Sequence, residues 1–263
     1  MASLETEALI LRSVDFGESD RILHLLVPDA GRLTAIAKGA RRSVRRFAGT
    51  LDLFNHLHVR LDLRRPGQVS RLDQARLVRS FAPLRSDPSR FALGCYLLEL
   101  LDRLAPEGAE RVEGARLFAF ALQTLDWVAT RPASPQLRVL VLLRALDALG
   151  LRPELRNCVR CGREPAAREA SRFHVAEGGP VCESCAATLA GLLPVQRGTL
   201  RALEQGARLD PAQLDRLVLP PRALAEAEQL LDRFSRFHLG VELASERFLR
   251  ELIASGEAAR SEA

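Results

Sequence analysis

The sequence predicts an α+β chain: a small N-terminal β-barrel of the OB type, then an α-helical bundle with an inserted four-cysteine zinc module. Three observations predict it. Residues 6–81 alternate apolar and polar side chains between closely spaced turn signals. From Asp87 onward the apolar residues recur at helical spacing. Within that helical part stand Cys158-Val-Arg-Cys161 and Cys182-Glu-Ser-Cys185, separated by 20 residues.

The strands come first. Ala8–Val14 is followed by the turn Asp15-Phe-Gly-Glu-Ser-Asp20, then by Arg21–Val27. Pro28-Asp-Ala-Gly31 turns the chain into Arg32–Lys38. A basic loop leads to Leu51–Leu61, and Arg64-Arg-Pro-Gly67 leads to Val69–Val78. Five strands with no long helical pattern between them suit a Greek-key barrel closed within residues 1–81.

A helical domain is expected over residues 82–255, with the zinc module at about 155–187 and a polar tail over 256–263. Asp87-Pro88, Ser134-Pro135 and Asp210-Pro211 each set a capping side chain before a proline at a first helical position. The expected helices run from there to Leu104, from Ala109 to Thr130, and from Pro135 to Leu149. Pro194–Gln205, Arg222–Leu239 and Ser245–Ala254 follow. Pro135–Leu149 is apolar almost all round, as a central helix is.

Two thiolates on a tight turn can point at one ion, and two such turns supply the four sulfurs of a closed tetrahedral site. Gly162 follows the first pair, where a knuckle turn favours a residue free to take positive φ. Disulfides would need an oxidising compartment, and nothing in the sequence suggests export. A redox CxxC pair belongs in a βαβ pattern, which is missing around Cys158. One structural Zn²⁺ per chain is therefore expected on Cys158, Cys161, Cys182 and Cys185, with no open position for catalysis. His174 and Cys95 are read as bystanders.

At 263 residues, with 47% hydrophobic and 27% charged side chains, the composition is that of a globular protein. No apolar run is long enough to span a bilayer and the first residues are acidic, so a cytoplasmic protein without a membrane partner is expected. Lys38 is the sole lysine among 38 basic residues, a bias consistent with a GC-rich genome. Charge is unevenly spread. Residues 1–80 hold 14 basic and 9 acidic side chains, a net of +5, whereas the remainder holds 24 of each. The N-terminal part is the one that faces a polyanion.

That excess centres on Arg32, Lys38, Arg41, Arg42, Arg45 and Arg46, with no acid between Asp29 and Asp52. A solvated charged loop is the bland alternative, but guanidinium groups so arranged can follow a phosphate backbone. Base reading is not expected, because residues 1–80 carry only Phe16, Phe47 and Phe54 as aromatics. Phe47 is the best-placed stacking candidate, or else an anchor for the loop. No Walker loop, GxSxG, HExxH or deaminase pattern is present, and no catalytic residue is assigned. A strand-connecting turn accounts for Asp15, Glu18 and Asp20 without a cation. His56 and His58 share a strand face but lack a third ligand.

Thr6-Glu-Ala-Leu-Ile-Leu11, Gly17-Glu-Ser-Asp-Arg-Ile22, Gly31 and Ala37-Lys-Gly-Ala-Arg-Arg42 resemble the start of bacterial RecO proteins. The CxxC pairs and Phe237-His-Leu-Gly240 before Ser245 continue the resemblance along nearly the whole chain. It implies an OB domain, a helical bundle and, in many members, a zinc module. It implies a DNA repair and recombination mediator, at the nucleoid, that binds single- and double-stranded DNA and anneals complementary strands. Its implied partners are RecR, single-strand binding protein through its C-terminal tail, and RecA indirectly. The family's basic surface carries over to Lys38, Arg41 and Arg42, and more loosely to Arg45 and Arg46. A zinc-ribbon transcription regulator is the first alternative; it would need a basic recognition helix. A metal-dependent nuclease is the second, and it would cut DNA when Mg²⁺ is added.

Overall fold

The computed structural model describes residues 2–43, 45–47, 49–64, 68–165, 171–240 and 242–261. Three residues of the expected turn at 64–67 and the last two of the tail lie outside this set. The described chain divides into two compact units, residues 1–133 with 243–263, and residues 134–242.

The first unit opens with the barrel. Strands β1 (Ala2–Phe16), β2 (Asp20–Val27), β3 (Gly31–Ala37), β4 (Asn55–Leu63) and β5 (Ser70–Ser80) close in the order β1-β2-β3-β5-β4. All pairings are antiparallel except β3 with β5. This is the OB-type barrel the alternation predicts. Strand β1 serves two neighbours along its length, and its register shifts between Ile10 and Arg12. The interior is filled by alternate residues, among them Ala8, Ile10, Leu23, Leu25, Ala35, Leu57, Val59 and Leu61. Strand β4 starts later than the expected Leu51. Phe54 adopts φ 63°, which breaks the extended run, and its ring packs edge-on against Phe91 at 5.4 Å.

Helices α1 (Pro88–Leu104) and α2 (Arg111–Thr130) pack on this barrel. Asp87 caps α1 by accepting from the Arg90 N–H at 2.8 Å. The β2–β3 turn is gripped by backbone: Arg32 N–H donates to the Pro106 carbonyl at 3.0 Å and Ala109 N–H to the Ala30 carbonyl at 3.1 Å. Gly31 and Gly114 permit this approach, since a Cβ on either would lie 2.6 Å from a backbone oxygen. The last helix of the chain, Ala244–Ser261, also belongs here. The Glu99 carboxylate accepts from the backbone N–H groups of Ala244 and Ser245 at 3.0 and 2.9 Å, and from the Ser245 hydroxyl at 2.6 Å. Burial pushes the Glu99 carboxyl up, but these hydrogen bonds outweigh it and hold it below its ordinary value. The expected tail from Gly256 is thus helical backbone through Ser261.

The second unit is built on α3 (Pro135–Ala148), capped by Ser134 and buried on nearly all sides. Short strands β6 (Arg172–His174), β7 (Gly179–Val181) and β8 (Leu192–Pro194) form a sheet in the order β7-β6-β8, and α4 (Glu183–Ala186) follows β7 in the chain, before β8. Helices α5 (Arg197–Arg208) and α6 (Pro221–Leu239) complete it. The helix expected from Pro194 begins at Arg197, because Leu192–Pro194 pairs with β6 instead. Asp210-Pro211 opens a 3₁₀ turn, not an α-helix.

Candidate nucleic-acid interface and metal centre

The basic loop leaves β3 at Ala37 and is tied down at several points. Gly39, at φ 66°, reverses the chain and donates its N–H to the Asp20 carboxylate at 2.7 Å. Arg41 N–H donates to the Ser19 carbonyl at 2.9 Å. Farther on, the Arg46 carbonyl accepts from Ala75 N–H of β5 at 3.1 Å, and the Arg46 guanidinium donates to the Lys38 carbonyl at 2.7 Å. Phe47 settles in the barrel core, 2% exposed, with the Arg46 guanidinium 5.1 Å from its ring centroid. Phe47 is therefore the anchor of the loop and not a stacking surface.

Lys38, Arg41, Arg42, Arg45 and Arg46 are all exposed. The fold supplies acids that the sequence window lacks. Arg41 pairs with Asp15 at 3.4 Å and Arg42 with Glu18 at 3.7 Å, both from the β1–β2 turn. Exposed pairs of this kind are worth about 0–1 kcal/mol each, so they do not tie up the arginines. Asp15 also pairs with Arg21 at 3.0 Å, and Asp20 is engaged by Gly39. These carboxylates brace the loop.

Arg32 does not join the patch. It begins β3, and the six residues to Lys38 span about 20 Å of strand. Its guanidinium meets Glu107 at 2.5 Å and Asp102 at 3.8 Å, and its side chain is only 21% exposed. Its sequence neighbourhood held no acid, but α1 and the following turn bring two. His56, next to Glu7 and the Phe118 ring, has burial as the main influence and titrates below its ordinary value.

The second candidate is the cysteine cluster. The Sγ atoms of Cys158, Cys161, Cys182 and Cys185 all lie within 4.8 Å of one another, the sole such group of potential metal ligands among the described residues. Cys161 and Cys182 are 3.7 Å apart. Tetrahedral Zn–S bonds of about 2.3 Å put sulfurs about 3.8 Å apart, so the donor set fits zinc. Gly162 takes φ 72° and its N–H closes the first knuckle on the Cys158 carbonyl at 2.8 Å. Glu154, which sequence reasoning passed over, accepts from the N–H groups of Leu155, Arg156 and Asn157 at 2.7–3.1 Å and shapes the approach to Cys158. His174 stands apart, 3.6 Å from Glu177. The Ser184 hydroxyl leads the groups that hold Cys182 down to about 5. Cys182 in turn leads those that push Cys185 up to about 12. Crowded sulfurs share protons until a cation replaces them.

The family model described as Recombination protein O N terminal matches residues 1–81, and that described as Recombination protein O C terminal matches residues 85–247. The chain belongs to the RecO family. The DNA repair protein RecO of Anaeromyxobacter sp. (strain K) is 38% identical over 255 residues, covering 96% of this chain and 98% of that protein. RecO of Myxococcus xanthus is 38% identical over 255 residues, with 96% and 99% covered. RecO of Geobacter sulfurreducens is 35% identical over 252 residues, again with 96% and 99% covered. Among the described residues of this RecO-family chain, no helix is long and apolar enough to cross a membrane.

Proposed function

We propose that this chain is a recombination mediator that works without bond chemistry at the nucleoid. It binds single- and double-stranded DNA without sequence preference, anneals complementary strands, and with RecR loads RecA on strands coated by single-strand binding protein. The observation that carries the reading is the set of five exposed cations, Lys38, Arg41, Arg42, Arg45 and Arg46, on a loop held by hydrogen bonds at Gly39, Arg41 and Arg46. Annealing is opposed mainly by repulsion between two phosphate backbones, and a dense cationic patch lowers that barrier. The four cysteines hold one structural Zn²⁺, whose closed coordination leaves no position for substrate.

The test is annealing of complementary oligonucleotides coated with single-strand binding protein. Annealing should proceed without nucleotide or Mg²⁺, weaken as salt rises, and require the acidic tail of the coating protein. Strand cutting on addition of Mg²⁺ would overturn the reading. Direct binding probes the loop itself. With five cations on a single strand, log K against log salt should have a slope near −3.5, and Arg45→Ala with Arg46→Ala should reduce it by about 1.4. Unchanged binding across the salt range would remove the loop from the interface.

A further inference from the structure

Of the three barrel aromatics, Phe47 and Phe54 are buried at 2% and 0%, whereas Phe16 is 52% exposed. Phe16 ends β1 directly opposite Asp20, whose carboxylate receives the Gly39 N–H of the basic loop. Its neighbour Asp15 pairs with Arg41. An unshielded ring thus stands at the foot of the cationic loop.

The register shows which face it joins. Ser13 pairs with Leu23 and Leu23 with Ala35, and both Leu23 and Ala35 belong to the barrel core. The adjacent row, Val14 to Ile22 to Ile36, therefore faces outward. Val14 is 43% exposed, Ile22 and Ile36 are half-buried, and Ile36 pairs onward with the exposed Arg71. Phe16, two residues beyond Val14, shares that outward face. The row carries an exposed ring at one end, beside the Asp15–Arg41 pair, and Arg71 at the other. It suits unpaired bases, which offer flat apolar faces beside phosphates. Duplex DNA keeps its bases stacked inside and gains nothing from such a ring.

We propose that Phe16 stacks on a base of single-stranded DNA, with Val14, Ile22 and Ile36 forming the platform beside it. The proposal rests on the loop as the phosphate contact and adds to it a preference for single strands that owes nothing to charge. Because every base has a π-face, the preference is blind to sequence.

The experiment measures binding of full-length Phe16→Ala to a single-stranded oligonucleotide and to its duplex across a salt series. Affinity for the single strand should fall about 5- to 100-fold with the salt slope unchanged, while duplex affinity stays within about twofold. Phe16→Trp should restore single-strand affinity, and its fluorescence should be quenched by single strands and not by duplex. The native Trp127 is 5% exposed and gives a steady background. Wild-type affinity in Phe16→Ala, or equal loss on both substrates, would overturn the proposal. The Arg45→Ala, Arg46→Ala variant run beside it separates the two readings. Failure of the loop alters the slope result and leaves the Phe16 comparison intact.

Discussion

Cys161→Ser should destabilise residues 134–242 by several kcal/mol and make their unfolding insensitive to chelator. The choice of Cys161 separates metal from packing. Its side chain is exposed, so truncation of a surface contact would account for only about 0.5 kcal/mol. Anything larger reports the loss of an ion whose binding is coupled to folding. Thermal unfolding of wild type and variant, each with and without chelator, gives the comparison. Wild type with chelator should melt like the variant. Since protons compete for the four sulfurs, the zinc-dependent part of stability should be present at neutral pH and lost as pH falls. A variant that melts like wild type, or fresh protein holding less than about half an equivalent of zinc, would contradict the assignment.

Arg138→Ala should destabilise the same unit by about 3–5 kcal/mol. Arg138 is 1% exposed on α3, and its guanidinium meets Glu228 at 3.1 Å and Asp232 at 3.2 Å on α6. Truncation leaves two carboxylates facing a void that an arginine stem had filled. The effect comes from two carboxylates losing a buried guanidinium together with the packing of its stem. Arg138→Met combined with Glu228→Gln and Asp232→Asn should therefore recover most of the loss. Urea unfolding decides: a single variant within about 1 kcal/mol of wild type would show that the carboxylates find water or other partners.

Local signals carried much of this structure. Alternation and turn residues located all five barrel strands, because a strand's period and a Gly or Pro turn are properties of neighbouring residues. The cysteine spacing brought the four sulfurs together for the same reason. What escaped was decided by partners far along the chain. Pro194 has a helix-starting look, yet it pairs with Arg172. Phe54 sits in an alternating run, yet its ring is drawn onto α1, where Gly94 leaves room for it. Phe47 in the loop and Phe16 at the end of β1 are equally aromatic on paper, and only closure of the barrel makes one core and the other surface. Arg32 looked like part of a cationic run until Glu107, 75 residues away, was placed against it.

On the proposed reading of the loop as a phosphate contact, the carboxylates that lean on it also bear on how quickly DNA can leave. Asp15 and Glu18 are tethered within reach of Arg41 and Arg42, so they act as resident rivals for the same guanidiniums. A departing phosphate need not strand a bare cation, because an anion from the β1–β2 turn is at hand to replace it. Such a surface grips through many contacts yet releases them one at a time, at low individual barrier. For the mediator role proposed above, turnover matters more than tightness. The exchange of a carboxylate for a phosphate is a means of letting go.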